Sequence, residues 1–317
     1  MARESAVKSA LVIINPVSLN LPARGQLREA AAWLKAQDWR ADWAFTRWAG
    51  EATAIARRAV REGRDLVVVC GGDGTINEAI NGLVGSQTPL AVIPAGTANV
   101  WAKEVGLPRC PLDALQVALY GQARRMDLGR AGGVGAGQEG RYFFLMAGVG
   151  LDGQIAASLP LEVKRYVGAT AYAVTAVRES LRFRGQRVRL LLDGQPFETR
   201  LLMMVVGNTR NYAGVAQVTA RAYANDGLLD VCLFPGEGPL DIILHTLRVL
   251  AKAHLRASPV LYRQVRRVEL PDESVLPVQL DGDFCPAYPT LFEVVPAALT
   301  VMLPRRTLPL FRRRGPP

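Results

Sequence analysis

The sequence predicts two successive folds: an open parallel α/β sheet over residues 1–130 and a mainly antiparallel β-sandwich with helical insertions over residues 131–295. In the first part, strand-like and helix-like runs alternate as far as Asp127, a pattern typical of parallel strands joined by helical crossovers. In the second part, most apolar runs are short and strand-like. The last strands are short and bounded by proline, so we expect that the tail, residues 296–317, can rejoin the first domain.

Hydrophobic spacing gives the order of the elements in each part. In the first, it predicts a strand at 10–14, a helix at 27–34, a strand at 39–46, a helix at 52–59 and a central strand at 67–70. In the second, it predicts strands at 141–147, 188–192, 200–206, 228–234, 260–270 and 291–295. Two apolar helical stretches, 163–181 and 240–255, interrupt these strands, and the glycine-rich residues 131–140 are expected to form a linker.

The central strand runs into a glycine turn. Its four apolar residues suit a strand that is covered on both faces, and Gly71, Gly72 and Gly74 let a ligand approach the main chain closely. Thr75 is predicted to cap a helix that starts near Ile76, whose positive end would attract an anion such as a polyphosphate. A plain strand-to-helix turn is the alternative.

A carboxylate and a second turn sharpen this prediction. Asp73 would repel a phosphate unless a divalent cation bridges the two, which implies Mg²⁺. Residues 90–94 form another apolar strand, followed by a turn through Gly96 and Thr97 and a helical run from Val100 to Val105. Because ligands of parallel sheets bind at the carboxyl ends of the strands, both turns are expected at one nucleotide site.

Composition narrows the class of protein. Half of the 317 residues are hydrophobic, no run is long enough to span a membrane, and no signal-peptide core precedes the first strand, so a cytoplasmic location is expected. The net charge of +10 suits a nucleotide, a nucleic acid or an anionic membrane. No nucleic-acid-binding motif accompanies it, so no nucleic-acid partner is predicted. The four cysteines are far apart and there are two histidines, which disfavours a disulfide frame, a zinc site or a histidine-based triad.

An ordered set of motifs resembles the diacylglycerol kinase catalytic family, which includes sphingosine kinases and bacterial lipid kinases. The motifs are Asn15-Pro16, Gly71 to Thr75, Ile93 to Asn99, Met126 to Gly129, Gly150 to Asp152, Asn225 to Asp230 and Asp281 to Asp283. The resemblance runs nearly end to end. It implies an ATP- and Mg²⁺-dependent lipid kinase that transfers the γ-phosphate to a hydroxyl of a diacylglycerol-like or related lipid, at the cytoplasmic face of a membrane.

The resemblance also implies site residues. Those it assigns to ATP are Asn15, Thr46, Gly71, Gly72, Asp73, Gly74, Thr75, Ile76, Asn77, Glu78 and Thr97. It places a structural Mg²⁺ at Asp226, with main-chain oxygens near Tyr223 and Leu228. The base would be Asp283, with Asp73 and Asp281 as the other acids of the catalytic set, and Asp152 would hold a lipid head group. Hairpin turns at 226–227 and 281–283 and a turn at Asp152 are the alternatives.

Two departures from the family's pattern leave the activity open. Asp283 is one methylene shorter than the usual glutamate, and Val100 stands where the family commonly has an aspartate. The loss of that acid suggests a rearranged metal shell, lower activity or an unusual acceptor. A soluble-substrate kinase of the NAD kinase type and a non-catalytic nucleotide- or lipid-responsive regulator are therefore the rival hypotheses.

The tail, residues 305–314, interleaves arginines with Leu308, Leu310 and Phe311. This pattern suits peripheral attachment to an anionic membrane, where each arginine near the surface adds about 1 kcal/mol. A solvated, disordered tail is the alternative. The sequence leaves the oligomeric state open, with a homodimer as one option.

Overall fold

A computed structural model describes residues 7–133, 140–159, 168–212, 214, 216–271, 276–306 and 310–312, with the backbone alone for 168–173. The chain divides into two compact units. Unit 1 comprises Met1–Met126 and Ala297–Phe311, and unit 2 comprises Asp127–Pro296 and Arg312–Pro317.

The elements follow in chain order. Those that begin in the first stretch of unit 1 are β1 (Lys8–Ile14), α1 (Arg24–Ala36), β2 (Trp39–Phe45), α2 (Glu51–Arg61), β3 (Leu66–Gly71), α3 (Asp73–Leu83), β4 (Leu90–Pro94), α4 (Val100–Glu104), α5 (Pro111–Tyr120) and β5 (Gln122–Gly132). Those that follow are β6 (Arg141–Phe143), β7 (Met146–Gly150), α6 (Leu151–Ala157), α7 (Gly168–Arg182), β8 (Gln186–Leu192), β9 (Gln195–Gly207), β10 (Asn211–Tyr212), β11 (Ala216–Gln217), β12 (Leu229–Pro235), α8 (Pro239–Leu250), a 3-10 turn (His254–Arg256), β13 (Leu261–Val265), β14 (Arg267–Glu269), β15 (Val278–Leu280), β16 (Asp283–Cys285) and β17 (Leu291–Leu303).

Unit 1 is built on the predicted parallel sheet. Its strands pair in the order β2, β1, β3, β4, all parallel, and Val301 near the end of β17 pairs with Leu90 of β4. Every residue of β3 is buried, as its continuous apolar run predicts. Ile14 of β1 pairs with Cys70 of β3, and Gly71 of β3 pairs with Pro94 of β4. The turns that follow these three strands therefore lie at one edge of the sheet.

Unit 2 is mainly antiparallel, also as predicted. Strand β9 pairs antiparallel with β7, β8 and β12, and further antiparallel pairs join β8 to β14, β14 to β17, β12 to β13 and β7 to β15. The inward residues of these strands, among them Phe143, Leu190, Val206 and Phe292, form one buried cluster. Alternation of buried and exposed residues along β8 shows that this sheet has one covered face.

Some predicted boundaries differ from the structure. The segments 141–147 and 260–270 each divide into two strands, β6 with β7 and β13 with β14. The predicted linker begins within β5, which continues to Gly132, and its residues 134–139 lie outside the described residues. Val163 and Val167, in the predicted helical stretch 163–181, also lie outside the described residues.

Candidate active site

The glycine turn after β3 leads directly into α3. This helix begins at Asp73, with Gly72 in an extended conformation as its N-cap, and the carbonyl of Gly72 accepts the Ile76 N–H at 3.0 Å. The prediction that Thr75 caps a helix starting near Ile76 is therefore wrong. Thr75 lies in the first turn, and its hydroxyl accepts a hydrogen bond from Asn15 Nδ2 at 2.9 Å.

The N-terminus of α3 is suited to an anion. The first amides of a helix have no main-chain partner within it, and the N-cap of α3 is Gly72, which has no side chain to cap them. The Asp73 carboxylate bonds only the N–H of its own residue at this end. The first amides lie at the positive end of the helix dipole, where a phosphate group is stabilised. Thr46 is buried beside the same edge, with its N–H donating to the Ile14 carbonyl at 2.9 Å.

A second glycine loop packs closely against this turn. A Cβ on Gly96 would lie 2.5 Å from Gly72 Cα, so the two main chains come closer than any other residue type permits. Asn99, at a positive φ of 45°, accepts the Gly96 N–H at 2.9 Å and donates from Nδ2 to the Gly96 carbonyl at 2.6 Å. Asn20 Nδ2 donates to the same carbonyl at 2.8 Å. Sequence reasoning did not identify Asn20 or the loop-closing role of Asn99, whose signal is an asparagine beside a glycine turn.

Asp73 points at the second loop. Its Oδ2 accepts the Val100 N–H at 3.0 Å and its Oδ1 accepts the Trp101 N–H at 3.2 Å, so the carboxylate caps α4. Burial raises the pKa of Asp73, while the hydrogen bonds from Val100 and Trp101 lower it. Val100 itself is buried. In the described part of the chain, no group of three or more His, Cys, Asp or Glu side chains is arranged to hold a metal ion.

The other residues assigned to ATP differ in their exposure and contacts. Asn15 and Thr97 lie at the loop edge, Asn15 half-buried and Thr97 exposed. Ile76 and Asn77, in contrast, are buried in unit 1. Glu78 Oε2 accepts the Ala52 N–H at 3.3 Å near the start of α2, so this carboxylate supports a neighbouring helix, as Asp73 does.

Asp281 and Gly282 form a tight turn between β15 and β16. Both have positive φ values, 51° and 89°, as a two-residue hairpin requires. The Asp281 carboxylate accepts the N–H groups of Phe144, Leu145 and Met146 at 2.8–2.9 Å. The alternative of a hairpin turn at 281–283 therefore describes this backbone correctly. The Asp281 carboxylate holds the turn against the segment from Phe144 to Met146, so Asp281 is a positioning residue.

Asp283 follows that turn as the first residue of β16. Its side chain is 38% exposed, and its Oδ2 lies 3.4 Å from Arg141 Nη2. Of the acids named for the second domain, Asp283 is accessible to a substrate, whereas Asp152 is enclosed. Asp152 accepts hydrogen bonds from the Tyr212 hydroxyl and, at 2.7 Å, from Gln279 Nε2.

Asp226 is paired with an arginine of the tail. Its side chain is 1% exposed, and its Oδ2 lies 3.1 Å from Arg312 Nη2, outside hydrogen-bond geometry, so the contact is an ion pair. Asp226 Oδ1 accepts the Leu228 N–H at 3.1 Å. The guanidinium groups of Arg312 and Arg210 both lie over the Tyr223 ring, 4.6 and 4.9 Å from its centroid. The carboxylate oxygen without a hydrogen bond, Asp226 Oδ2, therefore faces a guanidinium, and this ion pair does not fit a divalent cation at the same oxygen.

Asn225 anchors the same part of the tail. Its Oδ1 accepts the Arg312 N–H at 2.8 Å and its Nδ2 donates to the Arg312 carbonyl at 3.2 Å. In unit 1, Leu310 and Phe311 are buried, and the Phe311 ring packs edge-on against Trp101. Both expectations for the tail, attachment to a membrane and a solvated, disordered segment, are therefore wrong at these two residues. Leu310 and Phe311 are packed in unit 1 and are neither solvated nor available to a membrane.

A helix N-terminus at two glycine loops of a parallel sheet, followed by an antiparallel β domain, defines a two-part protein with a candidate phosphate site in its α/β unit. Residues 9–131 match the model of the diacylglycerol kinase catalytic domain, and residues 146–303 match that of the YegS C-terminal NAD kinase beta sandwich-like domain. The chain belongs to the diacylglycerol kinase and YegS-like lipid kinase family. It is a diacylglycerol kinase-like lipid kinase.

Individual relatives agree over nearly the whole chain. The diacylglycerol kinase of Bacillus subtilis (strain 168) is 27% identical over 302 residues, which cover 94% of this chain and 97% of that protein. The "Probable lipid kinase YegS-like" of Chromohalobacter salexigens is 31% identical and covers 92% of both chains. The crystal structure of a diacylglycerol kinase from Bacillus anthracis str. Sterne has the same fold, with a TM-score of 0.73, 21% identity and coverage of 95% of this chain and 98% of that chain.

Proposed function

We propose that this lipid kinase uses ATP with Mg²⁺ and transfers the γ-phosphate to a hydroxyl of a diacylglycerol-like lipid. The observation that carries the proposal is the N-terminus of α3, where Gly72 provides no side-chain cap, beside two glycine loops that approach to main-chain contact. Main-chain amides at a helix N-terminus hold phosphate groups without an added cationic side chain. The neighbouring Asn15, Thr46 and Thr97 complete the polar edge on which the nucleotide would lie.

In this proposal, Mg²⁺ binds together with the nucleotide. Asp73 is the acid at the loop edge, and its carboxylate accepts the main-chain N–H groups of Val100, Trp101 and its own residue. One lone pair of the carboxylate then remains for Mg²⁺. Bound there with ATP, Mg²⁺ would neutralise the charge of the phosphates. No role for Mg²⁺ at Asp226 is proposed, because Arg312 already neutralises that carboxylate.

Asp283 is the proposed general base. Its carboxylate would accept the proton of the lipid hydroxyl while the hydroxyl oxygen forms a bond to the γ-phosphorus and the bond to the bridging oxygen of ADP breaks. Its partly exposed side chain supports this role, and the neighbouring Arg141 holds the carboxylate at the start of β16. Asp281 would act at a distance, by fixing the turn that carries Asp283.

The test uses ATP labelled in the γ-phosphate, a panel of lipid alcohols that includes diacylglycerol, and NAD. We expect label in the lipid fraction, and Asp283→Asn should lower the rate by about 100-fold or more while leaving ATP affinity unchanged. Label on NAD alone would favour the soluble-substrate rival. ATP binding with no label in any acceptor would favour the regulator, for which the buried Val100 is the motivation.

The acceptor also suggests where the protein works. A diacylglycerol-like lipid resides in a membrane, so we propose peripheral attachment to an anionic membrane surface and no nucleic-acid partner. The net charge of +10 supports attraction to such a surface. Among the described residues, there is no helix of the length and apolarity that crossing a membrane demands.

A further inference from the structure

Two helices of unit 2 share one small apolar cluster. Ile242 of α8 packs with Leu151, Ile155 and Leu202, and Ala176 of α7 packs against the same group. Each helix therefore has one face that is covered by unit 2. His245 lies on the covered side of α8, with Nε2 at 2.7 Å from the Pro235 carbonyl.

The opposite face of each helix is apolar and exposed. On α8, the outward residues recur at helical spacing and are Leu240 (83% exposed), Ile243 (53%), Leu244 (44%), Leu247 (58%) and Leu250 (62%). On α7 they are Val174 (70%), Val177 (62%) and Leu181 (58%). At about 100° per residue, most of each stripe lies roughly 140–160° around its helix from Ile242 or Ala176 and faces away from the shared cluster. Ile243, Leu250 and Val177 flank the stripes at roughly 80–100°. Single exposed leucines need no explanation, but contiguous stripes on adjacent helices mark an interaction surface.

Basic residues outnumber acidic ones on and just after these helices. Arg178 and Arg182 on α7 and Lys252 just after α8 are exposed. The acids of the two helices are engaged within unit 2: Glu179 accepts a hydrogen bond from Gln154, and Asp241 accepts the Glu237 N–H at 2.8 Å. The surface therefore combines aliphatic residues with positive charge, which is typical of helices that lie on anionic membranes.

We propose that the outward faces of α7 and α8 dock this protein on an anionic membrane, with the apolar stripes among the acyl chains and the exposed Arg178 and Arg182 on lipid phosphates. The choice of a membrane rests on the proposed lipid-kinase function. The positive charge beside the stripes favours a membrane over a second copy of this chain, because two identical basic faces would repel each other.

The experiment measures binding of the full chain to vesicles of phosphatidylcholine, with and without phosphatidylglycerol. Leu247→Ser should lower the partition constant by about tenfold, because one aliphatic anchor is lost. Val7→Ser, at a 67% exposed residue of unit 1, is the matched control and should leave it unchanged. Arg178→Gln should weaken binding to the anionic vesicles about fivefold and spare the neutral ones, whereas Arg28→Gln on α1 should alter neither.

The outcomes separate the possibilities. Equal binding by Leu247→Ser and Val7→Ser would overturn the proposal. The proposal would also be overturned if Leu247→Ser changed the protein from a dimer to a monomer and left vesicle binding intact. That result would mean that a second copy of this chain covers the stripe in the parent protein. Phosphorylation of a short-chain acceptor dispersed in detergent should be the same in Leu247→Ser and the parent. If no variant phosphorylates any lipid, the proposed function fails while the vesicle result still decides the docking face.

Discussion

Replacing Arg312 with glutamine tests whether an arginine of the tail stabilises unit 2 in place of a cation. Asp226 is almost fully enclosed, with 1% of its side chain exposed, whereas 45% of the Arg312 side chain is exposed. Breaking a buried ion pair costs about 3–5 kcal/mol and breaking an exposed one about 0–1 kcal/mol, so this mixed pair should contribute about 2 kcal/mol. For a unit of this size, that loss corresponds to a fall in Tm of roughly 4–8 °C.

The assay is thermal unfolding of the parent and the Arg312→Gln variant, in EDTA and in Mg²⁺. The parent should unfold at the same temperature in both, and Mg²⁺ should raise the Tm of the variant, because its Asp226 carboxylate lacks a partner. Arg306→Gln removes the same charge from an exposed tail residue and should have little effect. A parent that loses stability in EDTA, or a variant as stable as the parent, would refute the reasoning.

The pH dependence of the same variant follows from the pKa of Asp226. Burial raises that pKa and Arg312 lowers it, so the substitution should raise it further. A carboxyl whose pKa is higher in the folded than in the unfolded state destabilises the fold when it is ionised. The stability deficit of Arg312→Gln should therefore be largest at neutral pH and shrink as the pH falls through the raised pKa.

Two further substitutions test other buried carboxyl groups. Val100→Asp would place a second carboxylate at a 6% exposed position beside Asp73, so Tm measurements should show a loss of about 2–4 kcal/mol that Mg²⁺ partly restores. A loss that Mg²⁺ leaves unchanged would mean that the two acids do not form a cation site. Burial raises the pKa of Asp230 to about 6, so the parent should gain stability as the pH falls from 7 towards the unfolded-state value of about 4. Asp230→Asn should flatten this gain in denaturant titrations, by about 3 kcal/mol at most, and an unchanged pH profile would contradict the assignment.

Much of unit 1 could be predicted from its sequence because local patterns determine it. A continuous apolar run such as β3 suits only a strand that is covered on both faces, and glycines after such a run indicate a tight turn. The start of α3 could not be predicted in the same way. Asp, Asn and Thr are all acceptable caps, but here the Gly72 carbonyl accepts the Ile76 N–H, so the helix already begins at Asp73 and Thr75 lies inside its first turn.

Partners distant in the chain could not be predicted at all. Asp73 reaches amides that follow the next strand, and Asp226 pairs with an arginine at the end of the chain. Periodicity likewise identified the apolar stripes of α7 and α8 but not which side packs on unit 2. On α8, Ile242 and Leu247 are both apolar, yet Ile242 is buried and Leu247 is exposed. The difference arises from how the helix packs on unit 2, which the pattern of residues does not contain.

The most direct test of the central claim is a calorimetric titration of ATP, with Mg²⁺ present, into the full chain and into Gly96→Ala. A Cβ at residue 96 would lie 2.5 Å from Gly72 Cα, so the substitution must separate the two loops. We predict saturable binding to the parent and at least about tenfold weaker binding to a folded Gly96→Ala variant, a loss of about 1.4 kcal/mol. An absence of ATP affinity in the parent, or equal affinity in both proteins, would contradict a nucleotide site at these loops.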